Sequence, residues 1–354
     1  MKEPVQTESQ KTGGMVFYPD DFKLKNSGNE IHIDSNFAAQ SFWKEARIRF
    51  CRKKSAVFGL VMVILITVFA IFGPGMTSYT YSGQNLLRKN LAPRIPVLEK
   101  TGLFDGDETI TTTTGSKKIN YYKLKKLGNV YYWFGSDTFG RDIWTRTWSG
   151  AQVSLIIAVA AALIDMVIGV SYGLISGYFG GKVDSIMQRF LEVANGIPRL
   201  VVVTLLLLVL NPGILTIIFA LMLTEWIGMS RITRAEMLKL KEQEFVLASR
   251  TLGAGSFFII FREVLPNIIG PVITQVMFSI PTAIFTEAFL SFVGLGIPVP
   301  QCSLGSLISE GFNSFTTHPY QIVPPVVVMA LLMLSFNLVA DGLREALDPK
   351  LKEM

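Results

Sequence analysis

The sequence predicts an all-α polytopic membrane protein with six membrane-spanning helices. Half of its 354 residues are apolar and only 17% are charged, the composition of a chain whose solvent is largely lipid. Its mean hydropathy is +0.41. The apolar residues gather into runs near the ~20 residues that a helical crossing needs, and charged stretches separate them. The net charge of +6 is divided among these stretches rather than concentrated on one groove-like face, which argues against a nucleic-acid partner.

Residues 1–54 are polar, with scattered Gly, Asn and Pro. They read as a cytoplasmic leader followed by a short amphipathic helix at about 42–50. Arg47, Arg49, Arg52, Lys53 and Lys54 stand directly before the first apolar run. Such a cluster holds its end of the chain in the cytoplasm, because carrying basic residues through the membrane is unfavourable. The run 56–72 spans ~26 Å at 1.5 Å per residue, and continuing to Met76 completes a first span over 55–76. It begins too far from Met1 for a signal-peptide core and is expected to act as an uncleaved anchor. Residues 77–150 then form an extracytoplasmic loop insertion, in which 104–107 and 111–114 read as exposed loop. Its many Lys and Arg do not set orientation, since the charge bias is weak in loops longer than about 60 residues.

Residues 151–345 are expected to form a core of five further helices. The second span covers 153–175 and the third runs through Pro198 to Leu210. Asn211-Pro212-Gly213 is a turn signal, and 214–229 returns as the fourth. The fifth, 268–295, is interrupted by Pro271 and Pro281, and the sixth is 323–340. The charged stretch 231–266 reads as a cytoplasmic loop. Arg344, Lys350 and Lys352 bring the tail, 346–354, back inside, so both termini are cytoplasmic. Cys51 and Cys302 fall on opposite sides and are not expected to pair.

Two spans carry acidic residues. In the second, Ala161, Asp165, Gly169, Gly173 and Gly177 recur every fourth residue, along one helix face. Small residues there admit a close neighbour, and an acid on that face must meet protein or water. Tight helix packing and a pore-lining role are both open. Glu287 in the fifth span is either a hydrogen-bond anchor between spans or a pore-facing group.

Catalytic signatures are missing. A phosphate-binding loop ends in Gly-Lys-Ser/Thr. The nearest stretch, GYFGGKV at 177–183, has its glycines one residue too close and Val183 in place of the hydroxyl. The two histidines, His32 and His318, have no metal-ligand spacing around them, and no hydrolase elbow or zinc-protease helix occurs. The chain reads as a non-enzyme with no metal and no bound cofactor, so ATP-driven work would need a separate ATPase subunit.

The stretch 236–252 reads as one helix. Leu238, Phe245, Ala248 and Leu252 make an apolar stripe, and Gly253 stands where a left-handed cap belongs. A second short helix, 257–264, leads to Leu265-Pro266. The stripe could lie on lipid or dock into a partner's groove.

Residues 244–273, EFVLASRTLGAGSFFIIFREVLPNIIGPVI, resemble the cytoplasmic EAA loop of binding-protein-dependent ABC importer permeases. Gly253, Leu265 and Pro266 match the pattern. Leu247-Ala248-Ser249 occupy the Glu-Ala-Ala place without its acid, a departure common in the peptide branch. FGSDTFGRDIWTR (134–146), GYFGGKVDSIMQR (177–189), FTEAFLSFVGLGIPVP (285–300) and FNLVADGLREALDPKL (336–351) are similar to the C-type permease of oligopeptide and dipeptide importers. Residues 81–131 fall outside the resemblance.

The resemblance implies a MetI-like importer-permease fold in the cell membrane and a homologous second permease. It also implies an extracytoplasmic binding protein and two cytoplasmic ATPases, which carry the ATP and Mg. Peptides are the implied substrates, with nickel chelates and glutathione as side branches. Leu238, Phe245, Leu247, Ala248, Ser249, Leu252, Gly253, Leu265 and Pro266 would form the coupling loop. A self-sufficient transporter or channel would instead show inverted repeats with matched broken helices, and the sequence has no such symmetry.

Overall fold

Two neighbouring stretches of opposite character begin the described chain, which in this computed structural model comprises residues 42–347 other than 97, 103, 113 and 114. The basic stretch forms α1 (Phe42–Arg52), with Glu45 and Arg49 paired one turn apart. The uncharged stretch forms α2 (Lys54–Phe72), and a 3-10 turn, Gly73–Met76, ends it at Pro74. The leader before residue 42 and the last seven residues of the expected tail lie outside the described residues.

The insertion is folded rather than an open loop. Here β1 (Asp107–Thr112) pairs antiparallel with β2 (Gly115–Asn120), from Asp107↔Asn120 to Thr112↔Gly115. A short helix, α3 (Tyr121–Leu124), follows. Leu91, Tyr122 and Tyr132 make a small core. The Arg94 guanidinium lies 5.1 and 4.6 Å from the ring centres of Tyr122 and Tyr131 and donates to the carbonyls of Leu127, Gly128 and Val130. The insertion ends at residue 142 instead of 150, because the Asp142 side chain accepts from the Thr145 N–H and caps the next helix.

That helix is one apolar rod, Ile143–Phe179, made of α4 (Ile143–Ile164), a π turn (Asp165–Gly169) and α5 (Val170–Phe179). It is far longer than the expected 153–175. The third span is not one straight helix. It is a pair, α6 (Gly181–Gly196) and α7 (Arg199–Val209), bent by 79°. Then α8 (Ile214–Thr224) and α9 (Trp226–Leu240) form the single rod Ile214–Leu240.

The expected loop 231–266 shrinks accordingly. Its first ten residues continue α9, and only α10 (Glu244–Thr251) stands between two turns. The rod Ser256–Phe292 then comprises α11 (Ser256–Phe258), a π turn (Ile259–Val264) and α12 (Leu265–Phe292). No separate 257–264 helix ends before Leu265-Pro266. Pro271 and Pro281 lie inside α12 without ending it, as membrane helices tolerate when neighbours surround the freed carbonyls. A ten-residue helix, α13 (Leu304–Asn313), precedes α14 (Val323–Leu347) and was not foreseen.

Contacts between rod ends count the crossings. Trp144 Nε1 donates to Gly73 O at 2.9 Å, so α4 starts where α2 ends. Lys241 Nζ donates to Gly177 O at 3.2 Å, so α9 ends beside the end of α5. The α8–α9 rod therefore starts on the far side, and the α6–α7 pair must have crossed. Lys53 pairs with Glu345, which returns α14 to the side where α2 began. With the bent pair counted as one span, the five long helices and that pair give six crossings, and both described ends lie on one side. The shared core includes Ile66, Trp148, Ile157, Ile217, Ile284 and Leu332, and Phe69 stacks on Trp148 at 4.8 Å. Val61, Leu208 and Val327 face outward, as suits a surface bathed in lipid.

Candidate functional site

Met237 and Val246 are both fully buried in one cluster with Ile259, Ile260 and Val264. Nine residues at ~100° each would place them on opposite faces of a straight helix. The chain therefore breaks at Lys241–Gln243, and the expected helix 236–252 becomes the end of α9 plus α10. Leu238 is thus separated from the stripe: it sits half-buried on α9, while Phe245 and Ala248 lie on α10 and Leu252 at its C-terminal cap.

Only Val246 of α10 is buried. Phe245, Leu247, Ala248 and Leu252 are exposed, Leu252 at 87%, and Ser249 is half-buried. Gly253 has φ +84°. Its N–H donates to Arg250 O and the Ala254 N–H donates to Ser249 O, both at 3.0 Å, which closes the helix with a left-handed cap. Phe257 and Phe261 stack just beyond and are also exposed. Leu265 packs against the buried cluster, and Pro266 is exposed in the first turn of α12. The result is an apolar prominence held between two membrane rods by one buried side chain and a glycine turn.

Beneath it, α5 lies against α9. A Cβ on Gly173 would collide with Ser230 O, one on Gly169 would stand 2.7 Å from Met229 Cβ, and one on Gly177 2.8 Å from Met237 Cβ. The glycines thus let two backbones touch, the packing geometry of small residues in membranes. Asp165, at the first position of the π turn, is 3% exposed.

Glu287 is fully enclosed. It accepts from Ser154 Oγ on α4 (3.1 Å), from Ser291 Oγ one turn on (2.8 Å), and from Ser303 Oγ at the cap of α13 (2.5 Å). That geometry is an anchor among three elements, away from any open surface.

Sequence reasoning missed two polar groupings. Asp184 on α6 accepts from Arg234 Nε and Nη2 on α9, both at 2.6 Å, and Arg250 lies 5.2 Å from the Tyr178 ring. At the opposite end, Arg141 and Arg146 are buried, and both donate to Glu310 on α13. Arg141 also donates to Asp137. Charged residues in otherwise apolar surroundings were the available signal, but their partners lie as many as 169 residues away.

Residues 169–353 match the family described as binding-protein-dependent transport system inner membrane component. Residues 41–93 match the N-terminal TM domain of oligopeptide transport permease C. The chain is 42% identical to the oligopeptide transport system permease protein OppC of Bacillus subtilis (strain 168), over 93% of this chain and 95% of that relative. It is 38% identical to the dipeptide transport system permease protein DppC of the same organism, over 99% and 100%. A chain of the MetNI methionine ABC transporter in an inward-facing conformation aligns at 16% identity with a TM-score of 0.49, over 57% of this chain and 96% of that one. This chain belongs to the family of inner-membrane components of binding-protein-dependent transport systems.

Proposed function

We propose that this permease forms half of the path through which an ATP-driven importer takes up oligopeptides or dipeptides, and that α10 is its contact with a separate cytoplasmic ATPase. A homologous second permease supplies the other half, two ATPases bind and hydrolyse MgATP, and an extracytoplasmic binding protein delivers the peptide. The relatives' names support the substrate class. In this reading α1, α10 and the end of α14 face the cytoplasm, an orientation that the basic residues of α1 support.

The observation that carries this reading is the exposure of α10. A helix that rested on its own chain would bury a stripe, whereas this one buries Val246 alone and offers Phe245, Leu247 and Leu252 outward. Filling a partner's cleft is the binding mode such a face suits.

Two variants test it. Leu252→Asp touches almost nothing in the chain itself, so the six helices should insert normally. Losing one buried leucine from the contact, roughly 1.5–3 kcal/mol, should lower ATPase co-purification by about tenfold or more. A Cβ at Gly253 meets no atom within 4 Å, so the main effect of Gly253→Val is backbone strain of about 1–3 kcal/mol at a positive φ. It should distort the end of α10 and reduce both co-purification and peptide-stimulated hydrolysis in vesicles. Wild-type values for both variants, with normal uptake, would remove α10 from this role.

A further inference from the structure

We propose that the Asp184–Arg234 ion pair is a strut that carries movement of the loop helix α10 into the broken span α6–α7. The two residues position helices and do not touch substrate. The inference rests on reading α10 as the ATPase contact.

The loop is tied to the last turn of α5. Lys241 Nζ donates to Gly177 O at 3.2 Å, and the Arg250 guanidinium lies over Tyr178. A cation at that position also suits the carbonyl-rich C-terminal end of a helix. Because Gly173 and Gly177 bring α5 into backbone contact with α9, those two helices move as one body. A push on α10 is therefore received by the α5–α9 pair.

Beyond α5 the chain turns through Gly180 and Gly181, whose φ values are +63° and +51°. Only Lys241 Nζ would approach a Cβ at Gly180, at 3.7 Å, and no atom would meet one at Gly181. Farther along α6, Tyr172 Oη on α5 donates to Met187 O at 2.7 Å, and Leu191 is buried with Trp226 and Ile227 of α9. The angle of the joint is set by side chains on either side of it. Asp184 lies in the first turn of α6 and reaches back to two helices. It accepts from Ser176 Oγ on α5 at 2.5 Å and from both Nε and Nη2 of Arg234 on α9. Gln188 Nε2 adds a hydrogen bond to Ser176 Oγ at 3.0 Å. The two-pronged pair fixes orientation as well as distance, since a planar guanidinium meets a carboxylate in one plane. With the strut in place α6 follows the α5–α9 body. Without it the first turn of α6 loses its tie to α5 and α9, only the farther contacts at Met187 and Leu191 remain, and movement of the α5–α9 body reaches the broken span less directly.

The test uses the full importer, reconstituted with its ATPases and with binding protein loaded from a peptide digest. Arg234→Lys keeps the attraction but not the fork. Asp184→Asn keeps the shape but not the charge. Each should retain co-purified ATPases while the ratio of stimulated to basal hydrolysis, per assembled complex, falls at least about threefold, with uptake falling in step. A merely structural role would lower the yield of complex and leave that ratio alone. A ratio within the error of wild type in Arg234→Lys overturns the strut, even if Asp184→Asn gives too little complex to measure. Leu252→Asp, run in parallel, keeps the two ideas apart. If it retains its ATPases, the docking reading fails. If it loses them while Arg234→Lys couples normally, only the strut fails.

Discussion

A carboxylate deep in an apolar helix must find hydrogen-bond donors, and Glu287 finds three serine hydroxyls. Its two oxygens join α4, α12 and the cap of α13. Glu287→Gln keeps an acceptor and a similar shape, and the hydroxyls can rotate to suit it. Assembly and uptake should survive that change. Glu287→Leu leaves three buried hydroxyls to find other acceptors, at about 1–3 kcal/mol for each that fails. The melting temperature of the detergent-solubilised protein should fall clearly. If it stays at the wild-type value, the anchor contributes nothing. That Glu287 was special was legible in the sequence, because a lone acid in an apolar run calls for an explanation. Which serines explain it was not, since Ser154 lies 133 residues away. Gly253 was fully legible, because the positive φ it provides is a local demand of the helix end before it.

Glycines in membrane helices have opposite meanings depending on what faces them. Gly173 is pressed against the carbonyl of Ser230, whereas a Cβ on Gly228 of α9 would meet nothing within 4 Å. Gly173→Ala must push α5 and α9 apart, and overpacking of this kind costs typically about 1–3 kcal/mol. Gly228→Ala fills empty space and gains up to about 1 kcal/mol of helix propensity. The two variants should shift the thermal midpoint of the solubilised protein in opposite directions. Equal shifts would mean that α5 and α9 are not in backbone contact at Gly173. The four-residue spacing of Gly169, Gly173 and Gly177 announced a close neighbour without identifying it. Helix ends were the hardest feature to read. Hydropathy marks the lipid-facing middle of a rod, while Ile143–Phe179 is 37 residues long and its first turn reaches the buried Arg146. There, buried pairs such as Arg146 with Glu310 replace apolar packing. The break before α10 was also hidden, because it arises from Met237 and Val246 sharing one cluster, which is a tertiary requirement.

The whole-molecule argument turns on sides. Five crossings were legible because their apolar runs are long, and the turn at Asn211-Pro212-Gly213 separates the fourth span from the shorter run of the bent pair before it. That the insertion has a core of its own was not, since its tyrosines and Arg94 come together only through the fold. The proposed orientation puts α1 inside the cell and the insertion outside, and cysteine chemistry can check both. Cys51 is exposed on α1. Cys302, expected on the outer side, is 2% exposed, its thiol donates to Arg146 O, and burial pushes its pKa up to about 11. Below that pH it stays a protonated thiol, which is not the reactive form. A membrane-impermeant maleimide applied to intact cells at neutral pH should therefore label neither cysteine. Inside-out vesicles should label Cys51 alone, and Cys302 should react only after denaturation. Leu87 in the insertion is 78% exposed, so Leu87→Cys should be labelled on intact cells and protected in inside-out vesicles. Labelling of Cys51 from outside, or of the Leu87→Cys thiol only from inside, would invert the molecule in the membrane and put α10 on the side where no ATPase could reach it.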